Sequence, residues 1–169
     1  MMKKRLILPL IAAFSLSCNV ANANIPPFAP QVGQTVAMLN EHLLKEYVIN
    51  YESFDWNTVQ DAYNKTIAMS DKSVADMFRK IYASDNAPHK VLKMNYKVVV
   101  SVQSIDFAEN QAKVHFSKQV VSLADSSISS KRNLIATIEY DFLHKPQDKE
   151  ESLLNPLGFN VKSYQVEKE

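Results

Sequence analysis

The chain of 169 residues contains few of the residues that usually mark a functional site. Its single cysteine, Cys18, lies close to the N-terminus, so the rest of the chain can form neither a disulfide nor a cysteine-based metal site. Its only glycines, Gly33 and Gly158, exclude a glycine-rich phosphate loop. No apolar run reaches the ~20 residues that a membrane-spanning helix needs. Stability must therefore come from an apolar core.

The N-terminus has the pattern of a secretion signal. Three basic residues within the first five positions precede an apolar run over residues 6–16, and Ala21 and Ala23 then form a small-x-small motif. This order is typical of a signal peptide, so we predict that residues 1–23 are a leader cleaved after Ala23. A short uncleaved anchor and lipidation at Cys18 are the alternatives. Residues 24–34, which contain three prolines, are predicted to form an extended linker.

The predicted mature chain is nearly neutral. Removing residues 1–23 leaves 16 of the 19 basic residues against all 18 acidic ones. Proteins that bind nucleic acid have a basic surface, so we do not expect nucleic acid to be the main ligand. The remaining length is typical of one domain, which we place at residues 35–169.

The first half of this domain has the period of amphipathic helices. Apolar residues recur at steps of three and four between positions 36 and 51, which predicts one long helix. In this pattern Leu44 and Val48 flank the apolar stripe, so we expect them to be accessible as a self-association surface. A second helix is predicted after Asp55, which is a plausible N-cap, and Trp56 and Tyr63 are expected to anchor the helix pair.

The second half changes to the period of strands. A third helix, capped by Ser70 or Asp71, precedes Pro88, at which we expect helical structure to end. Apolar and polar residues then alternate in four segments, which predicts an antiparallel sheet with one apolar face. Residues 146–151 are predicted to be a loop. Helices followed by strands indicate an α+β domain, with about three helices on one face of a four-stranded sheet.

A turn precedes the last predicted strand. Pro156 has a fixed φ, and Gly158 can adopt a positive φ without steric cost, so Asn155-Pro156-Leu157-Gly158 is predicted to be a rigid turn. In the alternation after it, Val161 faces the core and Tyr164 faces outward. An outward tyrosine beside a rigid turn suits a protein interface. The alternative is that Tyr164 packs under a loop and Asn155 only caps the turn.

The sequence offers little catalytic chemistry. The predicted inward positions at strand centres are all apolar, and Asp106, near a strand end, is the sharpest candidate for a general base. The four histidines are widely spaced and form no metal-binding motif, so we expect neither a metal nor a cofactor. The histidine on the second strand, His115, is predicted to face solvent. The other three are His42, His89 and His144.

Three segments together resemble a known family. They are Tyr51-Glu52-Ser53-Phe54-Asp55-Trp56, residues 84–91 with the sequence Ser-Asp-Asn-Ala-Pro-His-Lys-Val, and the turn with the strand after it. In this order they resemble the periplasmic domain of the eighth component of VirB-type secretion systems. The resemblance implies a nuclear-transport-factor-two-like roll, with a curved sheet around a long helix. It also implies a non-enzymatic assembly factor of type IV secretion in the periplasm of a Gram-negative bacterium.

The resemblance further implies partners and interface residues. The expected partners are inner-membrane and core-complex components of the secretion system, together with a second copy in a weak homodimer. The interface would include Asn155, Pro156, Leu157, Gly158 and Tyr164. Family members have a transmembrane helix that this sequence lacks, so we expect membrane contact to be indirect or through an uncleaved N-terminus at the inner membrane. The alternatives are a ligand-binding or catalytic roll of the same fold, and a divergent copy that modulates a membrane-anchored sibling.

Overall fold

The computed structural model describes residues 29–109, 111–143 and 149–169. The predicted leader with Ala21 and Ala23, most of the predicted linker before Ala29, and His144 lie outside these residues. Within them the chain forms five helices and four strands, in the order α1 (Ala29–Glu52), α2 (Val59–Ala68), α3 (Lys72–Ala83), α4 (Pro88–Val91), β1 (Tyr96–Ala108), β2 (Gln111–Ser122), β3 (Ile128–Phe142), α5 (Lys149–Leu154) and β4 (Phe159–Lys168).

The four strands form one antiparallel sheet in the order β1-β2-β3-β4, so each strand pairs with its neighbour in sequence. Helix α1 packs on one face of this sheet, where Tyr47 joins a buried cluster with Phe116 and Ile138. The junction of α2 and α3 adds to the edge of β4, because Val161 N donates to Met69 O and Asp71 N donates to Val161 O, both at 2.9 Å. The predicted α+β architecture is confirmed.

Several helix boundaries differ from the prediction. Helix α1 begins at Ala29, so residues 29–34 are helical rather than an extended linker. Helix α2 begins only at Val59, because Asp55 instead closes a turn in which its backbone oxygen accepts from Thr58 N. Of the two predicted caps of α3, Asp71 is correct, since its side chain accepts from Val74 N at 3.0 Å.

Two short helices were missed. Pro88 does not end helical structure but opens α4, where its missing N–H is no loss because the first helical N–H has no partner in any helix. Helix α5 begins at Lys149, inside the segment that was predicted to be a loop. Helices of this length give no periodic signal, because they complete only about one turn.

Each strand pair contains one extra residue, and two of these bulges change which side chains face the core. In β1 the extra residue is Gln103, since Val102 pairs with Phe116 and Ser104 with His115. In β4 it is Lys162, since Ser163 pairs with Glu139 whereas Val161 pairs with Tyr140. A bulge shifts the period of two by one residue, so side chains beyond it move to the opposite face.

The predicted position of the core stripe on α1 is also wrong. Leu44 and Val48, which were expected to be accessible, have no exposed area and pack in the centre of the core. Val36, by contrast, is 51% exposed. The sheet covers only the C-terminal part of α1, so the helix buries the side that meets the sheet there. Leu44 and Val48 stabilise the fold and offer no surface to a partner in this conformation.

Trp56 does not anchor the helix pair either. Its side chain is 45% exposed, and it lies in the turn before α2 rather than on that helix. Tyr63 connects α2 to α3, with its ring 4.6 Å from that of Tyr82 and 5.7 Å from that of Phe78.

Candidate functional site

The turn before β4 is held from inside by Asn155. The side chain of Asn155 is buried, and its amide nitrogen donates to Ala68 O at 2.9 Å and to Phe159 O at 2.8 Å. Its amide oxygen accepts from Phe159 N at 3.0 Å. One side chain therefore joins the end of α2 to the first residue of β4, and the turn cannot move independently of either.

Gly158 supplies the backbone conformation that the turn requires. Its φ is +64°, in the left-handed region that side chains other than glycine rarely adopt. A Cβ at this position would lie 2.8 Å from Leu143 O. Leu143 N also donates to Gly158 O at 2.7 Å, which ties the turn to the end of β3. The predicted turn, with a positive φ at Gly158, is confirmed.

The outer side of the turn is apolar and exposed. Leu157 at its tip is 47% exposed, and Leu153, in the last turn of α5, is 77% exposed. Pro156 and Leu143 are also exposed. We call these four residues the turn patch. Buried hydrogen bonds on one side and exposed apolar residues on the other make the turn patch a surface of fixed shape.

Tyr164 does not belong to this surface. The bulge at Lys162 turns Tyr164 to the inner face, opposite the buried Ile138. Its ring lies 4.2 Å from that of Tyr51 and 5.6 Å from that of Tyr47. The expectation that Tyr164 faces outward is therefore wrong, and Lys162 remains the exposed residue of this segment.

The hydroxyl of Tyr164 joins a partly buried ion pair at the end of α1. Lys118 Nζ donates to Glu52 Oε2 at 2.7 Å, and Tyr164 Oη donates to Glu52 Oε1 at 3.1 Å. The Glu52 side chain is only 12% exposed. Burial, followed by the adjacent carboxylate of Glu52, raises the pKa of Tyr164 well above its usual value. The tyrosine therefore stays neutral and acts as a donor to Glu52.

A cleft of about 230 Å³ opens beside this ion pair, between α1, α2, α3 and α4. Its wall is mostly aromatic, and the ring of His89 stacks on Tyr82 with centroids 4.2 Å apart. Burial lowers the pKa of His89, which favours the neutral imidazole. Among the described residues that line the cleft, two buried side-chain atoms have no hydrogen-bond partner, Asn50 Nδ2 and His89 Nδ1. The rings that line the cleft belong to Tyr51, Phe54, Tyr63, Phe78, Tyr82 and His89.

Sequence reasoning missed this cleft. Glu52 ends the apolar stripe of α1 and Lys118 lies in the inward phase of β2, but only the fold brings them together from positions 66 residues apart. The cluster of aromatic residues between positions 51 and 82 was the one available signal.

The bulge at Gln103 removes the sharpest candidate for a general base. It turns Asp106 to the outer face of the sheet, where its side chain is 73% exposed. There Asp106 Oδ2 lies 3.2 Å from His115 Nε2, and Glu169 Oε1 lies 3.1 Å from His115 Nδ1. The prediction that His115 faces outward is confirmed. Asp106 as a base inside a pocket is wrong.

No group of three histidine, cysteine, aspartate or glutamate side chains within residues 33–109, 111–143, 149 and 152–169 is arranged to hold a metal ion. In the same part of the chain, no helix combines the length and apolar character that crossing a membrane requires.

Comparison with known proteins identifies the family. Residues 11–169 match the family model described as VirB8 protein. The chain belongs to the VirB8 family. A curated member, type IV secretion system protein virB8 of Brucella abortus, is 30% identical over 134 residues, which are 78% of this chain and 56% of that protein. The chain thus spans about half the length of this curated relative.

Solved structures of similar proteins have the same fold. The soluble domain of TrwG from Bartonella grahamii is 35% identical with a TM-score of 0.74, and the match covers 78% of this chain and 94% of that one. TraE, solved in complex with 4-(1H-pyrrol-1-yl)pyridine-2-carboxylic acid, is 27% identical with a TM-score of 0.71, covering 78% and 96%. The chain is therefore a nuclear-transport-factor-two-like α+β domain of the VirB8 type.

Proposed function

We propose that this chain is a non-enzymatic assembly component of a type IV secretion system, which works in the periplasm by binding other components of the system. Membership of the VirB8 family supports the system, since the curated relatives are type IV secretion proteins. The turn patch is the surface that we assign to this binding. The expected partners are inner-membrane and core-complex scaffold proteins.

The observation that supports this assignment most is the division of the turn into two sides. Asn155 and Gly158 hold the backbone from within, while Leu157 is presented on the outside. An exposed apolar side chain on a rigid backbone loses little conformational entropy when a partner covers it. A mobile loop with the same residues would bind less tightly for this reason.

Leu157→Glu tests the proposal without removing the contacts that hold the turn, because the Leu157 side chain is half exposed and those contacts are made by Asn155 and Gly158. We expect the variant to fold normally, to lose capture of its partners after crosslinking in cells, and to lower secretion at least about tenfold, since a charge placed in an apolar interface costs several kcal/mol. Met77→Glu on α3 is the matched control, because Met77 is 55% exposed.

Normal crosslinking and secretion by Leu157→Glu would remove the turn patch from the proposal. Equal losses in Leu157→Glu and Met77→Glu would show a general effect of surface charge rather than a docking site. Fractionation, together with mass spectrometry of the mature N-terminus, tests the periplasmic location separately.

The aromatic cleft supports a second candidate function, the binding of a small aromatic acid. The related TraE has been solved with a pyridine carboxylic acid, and in this chain Lys118 and the unpaired Asn50 Nδ2 offer donors beside aromatic walls. Titration of the same compound by NMR should shift the resonances of the cleft in the wild type and in His42→Ala, whose altered residue is exposed on α1. His89→Ala should weaken the binding, and shifts that are unchanged in this variant would contradict the assignment.

A further inference from the structure

The two ends of the sheet have opposite charge. We call the end with the β1–β2 connection the hairpin end, and the end where β1 starts and β2 meets β3 the loop end. At the hairpin end one groove is lined by Glu109, Glu139 and Asp141 with a single cation, Lys162. The ion pair with Asp141, and then the charges of Asp71 and Glu139, raise the pKa of Lys162, as an acidic environment requires.

The loop end is basic. Lys93, Lys97, Lys131 and Arg132 lie there, and none forms an ion pair with a carboxylate among the residues that the structure describes. The sequence from residue 86 to residue 105 contains no acidic residue at all. The acidic residue in the β2–β3 loop is Asp125, whose carboxylate accepts hydrogen bonds from the backbone N–H and the hydroxyl of Ser127.

Exposed apolar side chains accompany the charges at both ends. At the loop end Leu123 is 50% exposed beside Asn95, whose backbone oxygen accepts from Leu123 N, and Ile128 is 57% exposed. At the hairpin end Phe107 is 48% exposed and lines a neighbouring hollow together with Glu109. Each end thus combines a net charge of one sign with exposed apolar area, which is a composition that suits a protein contact surface.

We propose that copies of this domain associate head to tail, with the basic loop end of one copy on the acidic hairpin end of the next. The occupant that fits both ends is a second copy, because this chain supplies both charge signs on separate surfaces. Pairing of either end with itself would oppose like charges, so a symmetric dimer through these ends is disfavoured. A head-to-tail contact repeats, and it gives a ring if the rotation closes and a filament if it does not.

The contact should be weak and sensitive to salt. Its charged residues lie at the surface, where ion pairs contribute little and are screened beyond about 8–10 Å at physiological ionic strength. This contact does not involve Leu157, and its readout is the association of purified protein. It can therefore succeed or fail independently of the docking function proposed for the turn patch.

Two reciprocal charge reversals test the proposal by sedimentation velocity on the mature chain at low salt. The first variant, Lys97→Glu with Lys131→Glu, makes the loop end acidic. The second, Glu109→Lys with Glu139→Lys, makes the hairpin end basic. Each variant on its own should have a dissociation constant for self-association at least about tenfold higher than that of the wild type, because like charges then meet. An equimolar mixture should regain it, since the reversed loop end of the first is complementary to the reversed hairpin end of the second.

Arg79→Glu with Lys80→Glu is the matched control, because it makes the same change in net charge as the first variant on exposed residues of α3 that are about two helical turns from Asp71. It should associate like the wild type. A wild type that stays monomeric at low salt up to about 1 mM would overturn the proposal. Association that neither charge reversal changes would also overturn it, because this is expected of a dimer through the exposed apolar part of α1 at Val36 and Met38. A mixture of the two variants that fails to regain association would overturn it as well.

Discussion

Replacing Asn155 with alanine removes three hydrogen bonds from a site that is only 3% exposed. The lost bonds are those from the side-chain amide to Ala68 O and Phe159 O, and the one from Phe159 N to the amide oxygen. Two carbonyl groups and one N–H group are then left without their partner. This change is a direct measure of how firmly the turn is held.

The expected loss follows from the number of bonds. A typical hydrogen bond contributes about 0.5–1.5 kcal/mol net, and a buried group left unsatisfied costs about 1–3 kcal/mol. We expect Asn155→Ala to lower the free energy of unfolding by about 3–5 kcal/mol, since water can enter the space and satisfy part of the loss. Asn155→Asp should destabilise at least as much, because a carboxylate oxygen would then face the carbonyl oxygens of Ala68 and Phe159.

Urea unfolding monitored by circular dichroism measures both variants. Asn57→Ala is the control, since Asn57 is exposed and its only hydrogen bond shown here is made by its backbone N–H. A loss below about 1 kcal/mol for Asn155→Ala, similar to the control, would refute the reasoning, because a single ordinary bond contributes that much.

Three further predictions follow from other parts of the structure. Gly158→Ala should lower the free energy of unfolding by at least about 2 kcal/mol in the same assay, because the positive φ alone costs about 1–2 kcal/mol and the new Cβ meets Leu143 O; an unchanged midpoint would contradict this. Leu44→Ala should cost about 2–5 kcal/mol and Met38→Ala close to nothing, since only Leu44 is buried. Hydrogen bonding with Glu169, and to a lesser degree with Asp106, raises the pKa of His115 above 6.5. The contribution of His115 to stability is therefore complete below about pH 6.5 and is lost as the pH rises through the folded-state pKa. His115→Gln should remove this pH dependence from a series of unfolding curves measured at different pH, and an unchanged pH dependence would assign it to other groups.

The sequence predicted the strands well but not their faces, and β-bulges explain the difference. The period of two placed Val98, Val114 and Val161 correctly on the core face. Beyond each bulge the same rule gave the wrong face, as it did for Asp106 and Tyr164. One extra residue on a strand does not alter the composition of the segment, and only pairing with the neighbouring strand reveals it.

The prediction of which side of α1 faces the core was wrong for a different reason. Steps of three and four fit more than one side of a long helix, and the choice between them depends on where the partner surface ends. The sheet covers α1 around Tyr47, so Leu44 and Val48 are buried while Val36, from the predicted stripe, remains exposed. The turn, by contrast, was predictable because its conformation depends on Pro156 and Gly158 themselves.

The turn and the cleft are mechanically connected, which decides how mutations of the turn must be interpreted. Asn155 holds the end of α2 at Ala68, and Val161 holds the junction of α2 and α3 through Met69 and Asp71. The same two helices contribute Tyr63 and Phe78 to the wall of the cleft. Asn155→Ala and Gly158→Ala should therefore alter the turn patch and the cleft together, and a loss of binding in either could not be assigned to one of them. Leu157→Glu changes only the outer side of the turn, and His89→Ala only the cleft, so this pair separates the two functions.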